Sequence, residues 1–401
     1  EDIHISDNGN YISYLVNPQK GDGKVVIYSE KNGYDSIPRV TKINFTTDSR
    51  FLAGHIVPQY DTIRQMKIEK KKKDDFPKDS LIIIDLQSGE NVKFENVRSY
   101  AVADEGENAW IVFHKEFMKE DKEEAKKDSL IEKENIEEEP ESEEEKKKEE
   151  ARTIEKKHEK IKSTLKLADL VIYNPVSEAS FSFENVYNYQ ISENGNLITF
   201  TQIAEDSVIH SVVYVFDTNN EKASIIHEGE GLAEKLATGK EGFQSAFIFS
   251  ADSGIVSGLQ LYHWDYGDPA AERIIDSVDN RLKENWGISK YGKLWFSDNG
   301  NRIFFGTSPI PEEVEEDSIP DDEKASLDVW NWKDDYLQPQ QKKQLKQEKE
   351  RNYLAIYDLN QKKLIQAGNE KIEQVKTMHK GNGDYILGFE EVLATSGKNS
   401  F

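Results

Sequence analysis

Along most of this chain, apolar residues stand at every second position in short runs, and each run stops at a cluster of Ser, Asp, Asn and Gly. A period of two puts successive side chains on opposite faces, so these runs predict β-strands rather than helices. The stops repeat almost letter for letter. "SDNGN" stands at 6–10 and again at 297–301, and "SENGN" stands at 192–196. Such a Ser-Asp-Asn cluster could hold a metal or a phosphate. Gly, however, supplies the positive φ of a tight turn, and Asn or Asp closes the turn through its own side chain. Lying between two apolar runs, the motif reads as a turn.

Aligning the chain on these turns gives "IHISDNGNYISYLV" (3–16), "INFTTDSRFLAGHIV" (43–57), "YAVADEGENAWIVF" (100–113) and "YQISENGNLITFTQI" (189–203). The series continues with "FIFSADSGIVSGLQL" (247–261), "LWFSDNGNRIFFGT" (294–307) and "KTMHKGNGDYILGF" (376–389). A second hairpin follows in each case but the last, as in "KVVIYSEKNGYDSIP" (24–38), "LIIIDLQSGENVKFENV" (81–97) and "YLAIYDLNQKKLIQAG" (353–368). Two hairpins make a four-stranded sheet, and the repeat spacing of roughly 40–60 residues is that of propeller blades. One such sheet cannot bury both faces alone, so blades stack. The expected fold is all-β: a β-propeller spanning 1–401, with about seven blades of four antiparallel strands. The last has only its first hairpin before Phe401 and the chain opens inside a strand, so both ends are expected to be cut.

Three stretches interrupt the repeat. Residues 61–79, with "KIEKKKKDD", are expected to extend a hairpin. Residues 115–165 are charged on every helical face and predict solvated helix or disorder, with an acidic partner-binding arm as the alternative. Residues 310–350 contain "SLDVWNWKDDYLQPQQKKQLKQEKE". Two tryptophans in so polar a stretch imply docking onto something, either a neighbouring blade or a substrate. Trp330, Asn331, Trp332, Lys333 and Asp334 are therefore candidate contact residues.

Charge and composition narrow the partners. A formal net charge of −24 opposes nucleic acid and anionic membrane surfaces. The absence of cysteine removes disulfides, thiolate catalysis and cysteine-ligated metals. No apolar run is long enough for a membrane-spanning helix. The eight histidines are scattered without metal-ligand spacing, and no cofactor is expected. A hydrolase nucleophile needs a strained G-x-S-x-G elbow. "GTSPI" (306–310) lacks the second Gly, and "GFQSA" (242–246) has the wrong spacing, so neither qualifies. "GDGKVV" (21–26) and "GEGLAE" (229–234) lack the third Gly of a phosphate loop and read as turns.

The repeated strand–"SDNG"–strand units, with "LDVWNWKDDYLQPQQKKQ" (327–344) and "ERNYLAIYDL" (350–359), resemble the TolB-like N-terminal propeller of the prolyl oligopeptidase family of serine peptidases. The similarity is greatest to large exported members from Bacteroidetes. The resemblance implies an α/β-hydrolase domain with a Ser-Asp-His triad following residue 401, and a propeller that admits peptides and excludes folded proteins. It transfers no catalytic residue to this chain, and no paired-glutamate motif for anchoring a peptide amino terminus is present. The expected function is thus the non-catalytic, substrate-gating domain of a periplasmic or otherwise exported peptidase, with peptides and its own hydrolase domain as partners. The alternative is a free-standing propeller that binds proteins or peptides as a scaffold.

Overall fold

The computed structural model describes residues 3–117, 164–204, 209–251, 258–277, 279–310 and 336–390. The strands pair antiparallel, nearly all with a sequence neighbour, as a propeller of hairpin-built blades requires. The first sheet runs β1 (Ile3–Ile5), β2 (Tyr11–Val16), β3 (Lys24–Ser29) and β4 (Gly33–Pro38). The second runs β5 (Val40–Phe45), β6 (Phe51–Ile56), β7 (Ser80–Asp85) and β8 (Asn91–Glu95).

The third and fourth blades share one seven-stranded sheet. It contains β9 (Val97–Val102), β10 (Ile111–Lys115), β11 (Ala168–Tyr173), β12 (Ser180–Ile191), β13 (Leu197–Ile203), β14 (His210–Asp217) and β15 (Lys222–Glu230). The join is β12, whose 12 residues serve first as the outer strand of one blade and then as the first strand of the next. Its register with β13 shifts between Val186 and Asn188, where the change of blade occurs.

The fifth sheet is β16 (Leu232–Thr238), β17 (Gln244–Ser250), β18 (Leu259–Asp265) and β19 (Glu272–Ile275). In the sixth, β20 (Trp286–Ile288) and β21 (Trp295–Phe296) both pair with β22 (Arg302–Pro309), followed by β23 (Tyr353–Asp358) and β24 (Lys363–Gln366). A two-stranded seventh sheet has β25 (Gln374–Thr377) and β26 (Ile386–Phe389). The described chain divides into two compact units, one of Glu1–Ser245 with Trp264–Ala271, the other of Ala246–His263 with Glu272–Phe401.

Two expectations are corrected. The first hairpin of the fifth blade is β16–β17, turning at 239–243, and not the 247–261 segment, which holds the second and third strands. Its strand "FIFS" is continuously apolar and buried, as second strands are, whereas the first strand β16 buries only Ala233 and Ala237. The other correction concerns 61–79. The link between β6 and β7 is helical, with α1 spanning Tyr60–Ile68 and a 3₁₀ turn at Lys73–Asp75. No residue of α1 is buried, so it stands on the sheet's end without joining a core. The 310–350 stretch likewise contains a solvent-covered helix, α2 (Gln338–Lys349), with Pro339 in its first turn.

In the first unit the blades pack on one another through apolar cores among the described residues. Leu15, Val25 and Ile27 of the first sheet meet Ile43 and Leu52 of the second. Leu81 and Ile83 meet Ile111 and Phe113 of the third blade. On the other face of β10, Trp110 and Val112 join Ile198, Phe200 and Phe216 of the fourth blade. Middle strands thus have two buried faces, and they read as continuous apolar runs such as "LIIID". Outer strands have one, and "NVKFE" alternates.

Candidate functional site

The repeated pentapeptide is a turn, and its hydrogen bonds are the same each time. Ser6 N–H donates to Tyr11 O at 3.0 Å and Gly9 N–H to Ser6 O at 2.8 Å. The equivalent pairs join Thr46 to Phe51, Ser192 to Leu197, Gly239 to Gln244 and Ser297 to Arg302. The first residue's hydroxyl donates to the third residue's side chain, as Ser192 Oγ does to Asn194 Oδ1 at 2.9 Å. That same oxygen accepts from Asn196 N–H at 3.1 Å. The fourth residue carries positive φ, +71° at Gly9 and +73° at Gly195. Asn194→Ala should therefore cost about 1–2 kcal/mol, read as a lower urea midpoint, because it leaves two local donors without their acceptor.

Each turn also ties its blade to the next. Asn8 N–H donates to Ser49 Oγ at 3.1 Å, and Thr47 Oγ1 to Asn108 O at 2.9 Å. Asn108 Nδ2 donates to Gly195 O at 3.0 Å, and Asn194 N–H to Lys240 O at 3.2 Å. Lys240 Nζ adds an ion pair to Glu105 at 2.8 Å. In the second unit Asp298 N–H donates to Lys380 O at 3.1 Å. The repeated motif is architecture.

In the first three turns the second residue also faces a cleft. Asp7, Thr47 and Asp104, at this position in three successive turns, line a cleft of about 320 Å³ in the first unit. The remaining walls are Ile3, His4 and Ile5 of β1, Asn44 and Phe45 of β5, and Val102 and Ala103 at the end of β9. These are the first strands of the first three sheets. Ile3 and Ile5 alternate with His4 along β1 and are 66% and 62% exposed, an apolar pair left uncovered beside two carboxylates. Asn44 is held from behind, accepting from Tyr100 OH at 3.0 Å. An open cleft of this size, with a mostly polar lining and Ile3 and Ile5 on one side, suits a small polar ligand or the charged end of a peptide.

A second polar group lies between the third and fourth blades. Arg98 of β9 donates to His114 Nδ1 at 2.9 Å. Tyr189 of β12 sets its ring edge-on to His114 with centroids 4.6 Å apart, and its hydroxyl meets Ser99 Oγ at 3.2 Å. Burial, with the Arg98 charge beside it, drives the His114 pKa down to about 3. Burial also lifts the Tyr189 phenol to about 12 and lowers Arg98. His114 is thus neutral at physiological pH. Sequence reading missed this group, because three residues from three strands carry no local spacing to mark them.

The candidate serines are structural. Ser308 lies in β22 opposite Gly287, in a strand rather than an elbow. Ser245 is buried, with Oγ 3.0 Å from Thr199 Oγ1. Among the described residues, no set of three His, Asp or Glu side chains could hold a metal ion. Trp330, Asn331, Trp332, Lys333 and Asp334 lie outside the described residues.

No protein-family model matches the chain, and no curated protein matches it. Solved structures that resemble it include β-propeller domains of peptidases. That of the Trilobed protease from Pyrococcus furiosus is 12% identical with a TM-score of 0.37, covering 77% of both chains. Porphyromonas gingivalis dipeptidyl peptidase 4 is 11% identical with a TM-score of 0.45, covering 97% of this chain and 48% of that one. A eukaryotic initiation factor is 10% identical with a TM-score of 0.42, covering 97% of this chain and 78% of the other. The chain thus spans about half the length of the dipeptidyl peptidase. Likenesses at this level do not distinguish a peptidase domain from a scaffold.

Proposed function

We propose that this chain is the non-catalytic propeller domain of an exported serine peptidase of the prolyl oligopeptidase family, and that it receives and filters peptides. The observation that carries this reading is the cleft beneath the first three turns. Its exposed Ile3 and Ile5 offer apolar contact, and Asp7 and Asp104 offer charge for a peptide's amino terminus. A field from 24 excess negative charges draws such cations in. The cleft holds Thr47 and His4 but no activated nucleophile, since the Thr47 hydroxyl is spent on Asn108 O. Binding without chemistry is what a gating domain does.

The seventh sheet favours a further domain as partner. Tyr385 is 83% exposed, and Ile386, Leu387 and Phe389 of β26 are exposed with it. Clustered apolar side chains of this kind suit contact with another protein surface. In the scaffold reading, that surface belongs to a separate protein.

Fluorophosphonate labelling distinguishes the two. The full-length gene product should label at one serine, and the 401-residue chain should not. If the native product does not label, the peptidase reading fails and the scaffold reading replaces it.

A further inference from the structure

Arginines in this chain are generally answered by carboxylates. Arg50 lies 2.9 Å from Asp85, Arg273 lies 3.1 Å from Asp276, and Arg302 lies 3.5 Å from Asp384. Arg281 and Arg351 pair with Asp279 and Glu348. With 76 acidic residues against 52 basic ones, a carboxylate is easy to supply. Arg98 departs from this pattern, as do Arg39 and the exposed Arg64, but it alone of the three is held by another side chain. It is half-buried on β9, and among the described residues no carboxylate is paired with it. The carboxylate whose charge does reach it, that of Glu116, is bound to Lys78 at 2.8 Å.

Its only hydrogen-bond partner among the described residues is neutral. A guanidinium carries five N–H donors, and one of them goes to His114 Nδ1 at 2.9 Å. Accepting there puts the imidazole proton on Nε2. That nitrogen is buried and has no partner among the described residues, on a residue only 4% exposed. The ring is clamped by Tyr189, and Tyr189 in turn by Ser99. The guanidinium is therefore fixed in place by a side chain that contributes no countercharge. Partly desolvating a cation without a counter-ion costs stability, and the fork is left free to take a planar anion in two parallel bonds.

We propose that Arg98 anchors a carboxylate of a bound peptide, with His114 as its positioning residue. The inference rests on the reading of this chain as a peptide-binding domain. The carboxylate can be the peptide's carboxyl terminus or an acidic side chain, and the chemistry at the guanidinium is the same.

Titration calorimetry with three acetylated peptides tests it: Ala-Ala-Ala with a free carboxyl terminus, the same peptide amidated, and amidated Ala-Asp-Ala. At least one carboxylate peptide should bind about tenfold or more tightly than the neutral one, as one charge-assisted fork implies. Arg98→Gln should abolish that preference, and Arg98→Lys should keep part of it. His114→Phe should reduce the preference while leaving the neutral peptide's Kd unchanged, a pattern that general loss of structure would not give. Should Arg98→Gln fail to fold, Arg98→Lys still decides: a preference that is reduced but not lost supports the fork, and one as large as in the unaltered chain overturns it. Equal binding of all three peptides by the unaltered chain overturns the role of Arg98 and leaves the peptide reading intact. A preference that survives Arg98→Gln overturns it as well. Binding of none overturns both the anchor and the peptide reading.

Discussion

Between pH 6.5 and pH 3 the chain is expected to lose roughly 5 kcal/mol of folding stability through the His114 imidazole alone. The unfolded chain takes up this proton near pH 6.5, whereas the folded chain refuses it until about pH 3. Within that window the unfolded state binds more protons. Stability is therefore whole above pH 6.5 and falls as the pH falls, until the folded imidazole also ionises. The cause is burial first and the neighbouring Arg98 charge second, since a second cation would have to sit 2.9 Å from the guanidinium. Urea unfolding at pH 7.5 and pH 5.0 checks this. The wild type should lose about 2 kcal/mol more than His114→Gln between the two, because 1.5 pH units lie below the unfolded pKa. Carboxylates titrate alike in both proteins and drop out of the comparison. Equal losses would mean that another group carries the acid sensitivity.

Phe200→Ala should destabilise the chain by about 3–5 kcal/mol. Phe200 is fully buried on β13, stacked on Tyr214 with ring centroids 5.0 Å apart and lying 4.6 Å from Phe183. It belongs to the core that holds the third blade, through Trp110, Val112, Leu170 and Ile172, against the fourth. Truncation removes the transfer energy and leaves a void that two packed blades cannot close. Phe200→Leu should cost less than half as much, and Val176→Ala, at a site 53% exposed, should stay within about 0.5 kcal/mol. Denaturant midpoints order the three. If Phe200→Ala behaved like Val176→Ala, packing between blades would not be what holds this unit together.

How far the sequence could be read depends on whether the information was local. The turns at 6–10, 192–196 and 297–301 were legible because a turn is made by its own five residues: hydroxyl, Asn side chain and Gly φ act within the loop. The fifth repeat was misplaced because "SADSG" at 250–254 has turn composition too, and the phase is set by which strand is buried on both faces. The helix at 60–68 was missed because its apolar stripe is short, Tyr60, Ile63 and Met66, and none of these residues is fully buried.

The candidate sites were not legible, for a different reason. Asp7, Thr47 and Asp104 are spread over nearly a hundred residues, and their common exit into one cleft exists only once three sheets stand side by side. Arg98 and His114 meet across the β9–β10 pairing, and Tyr189 joins them only because β12 crosses from one blade to the next. By itself the sequence determined the strands, the turns and the blade repeat, since alternation and turn chemistry act over a few bonds. The tertiary structure alone decided which polar residues were consumed by stitching the turns together and which stayed free to meet a ligand. That choice depends on distances between blades, which no short stretch of chain encodes.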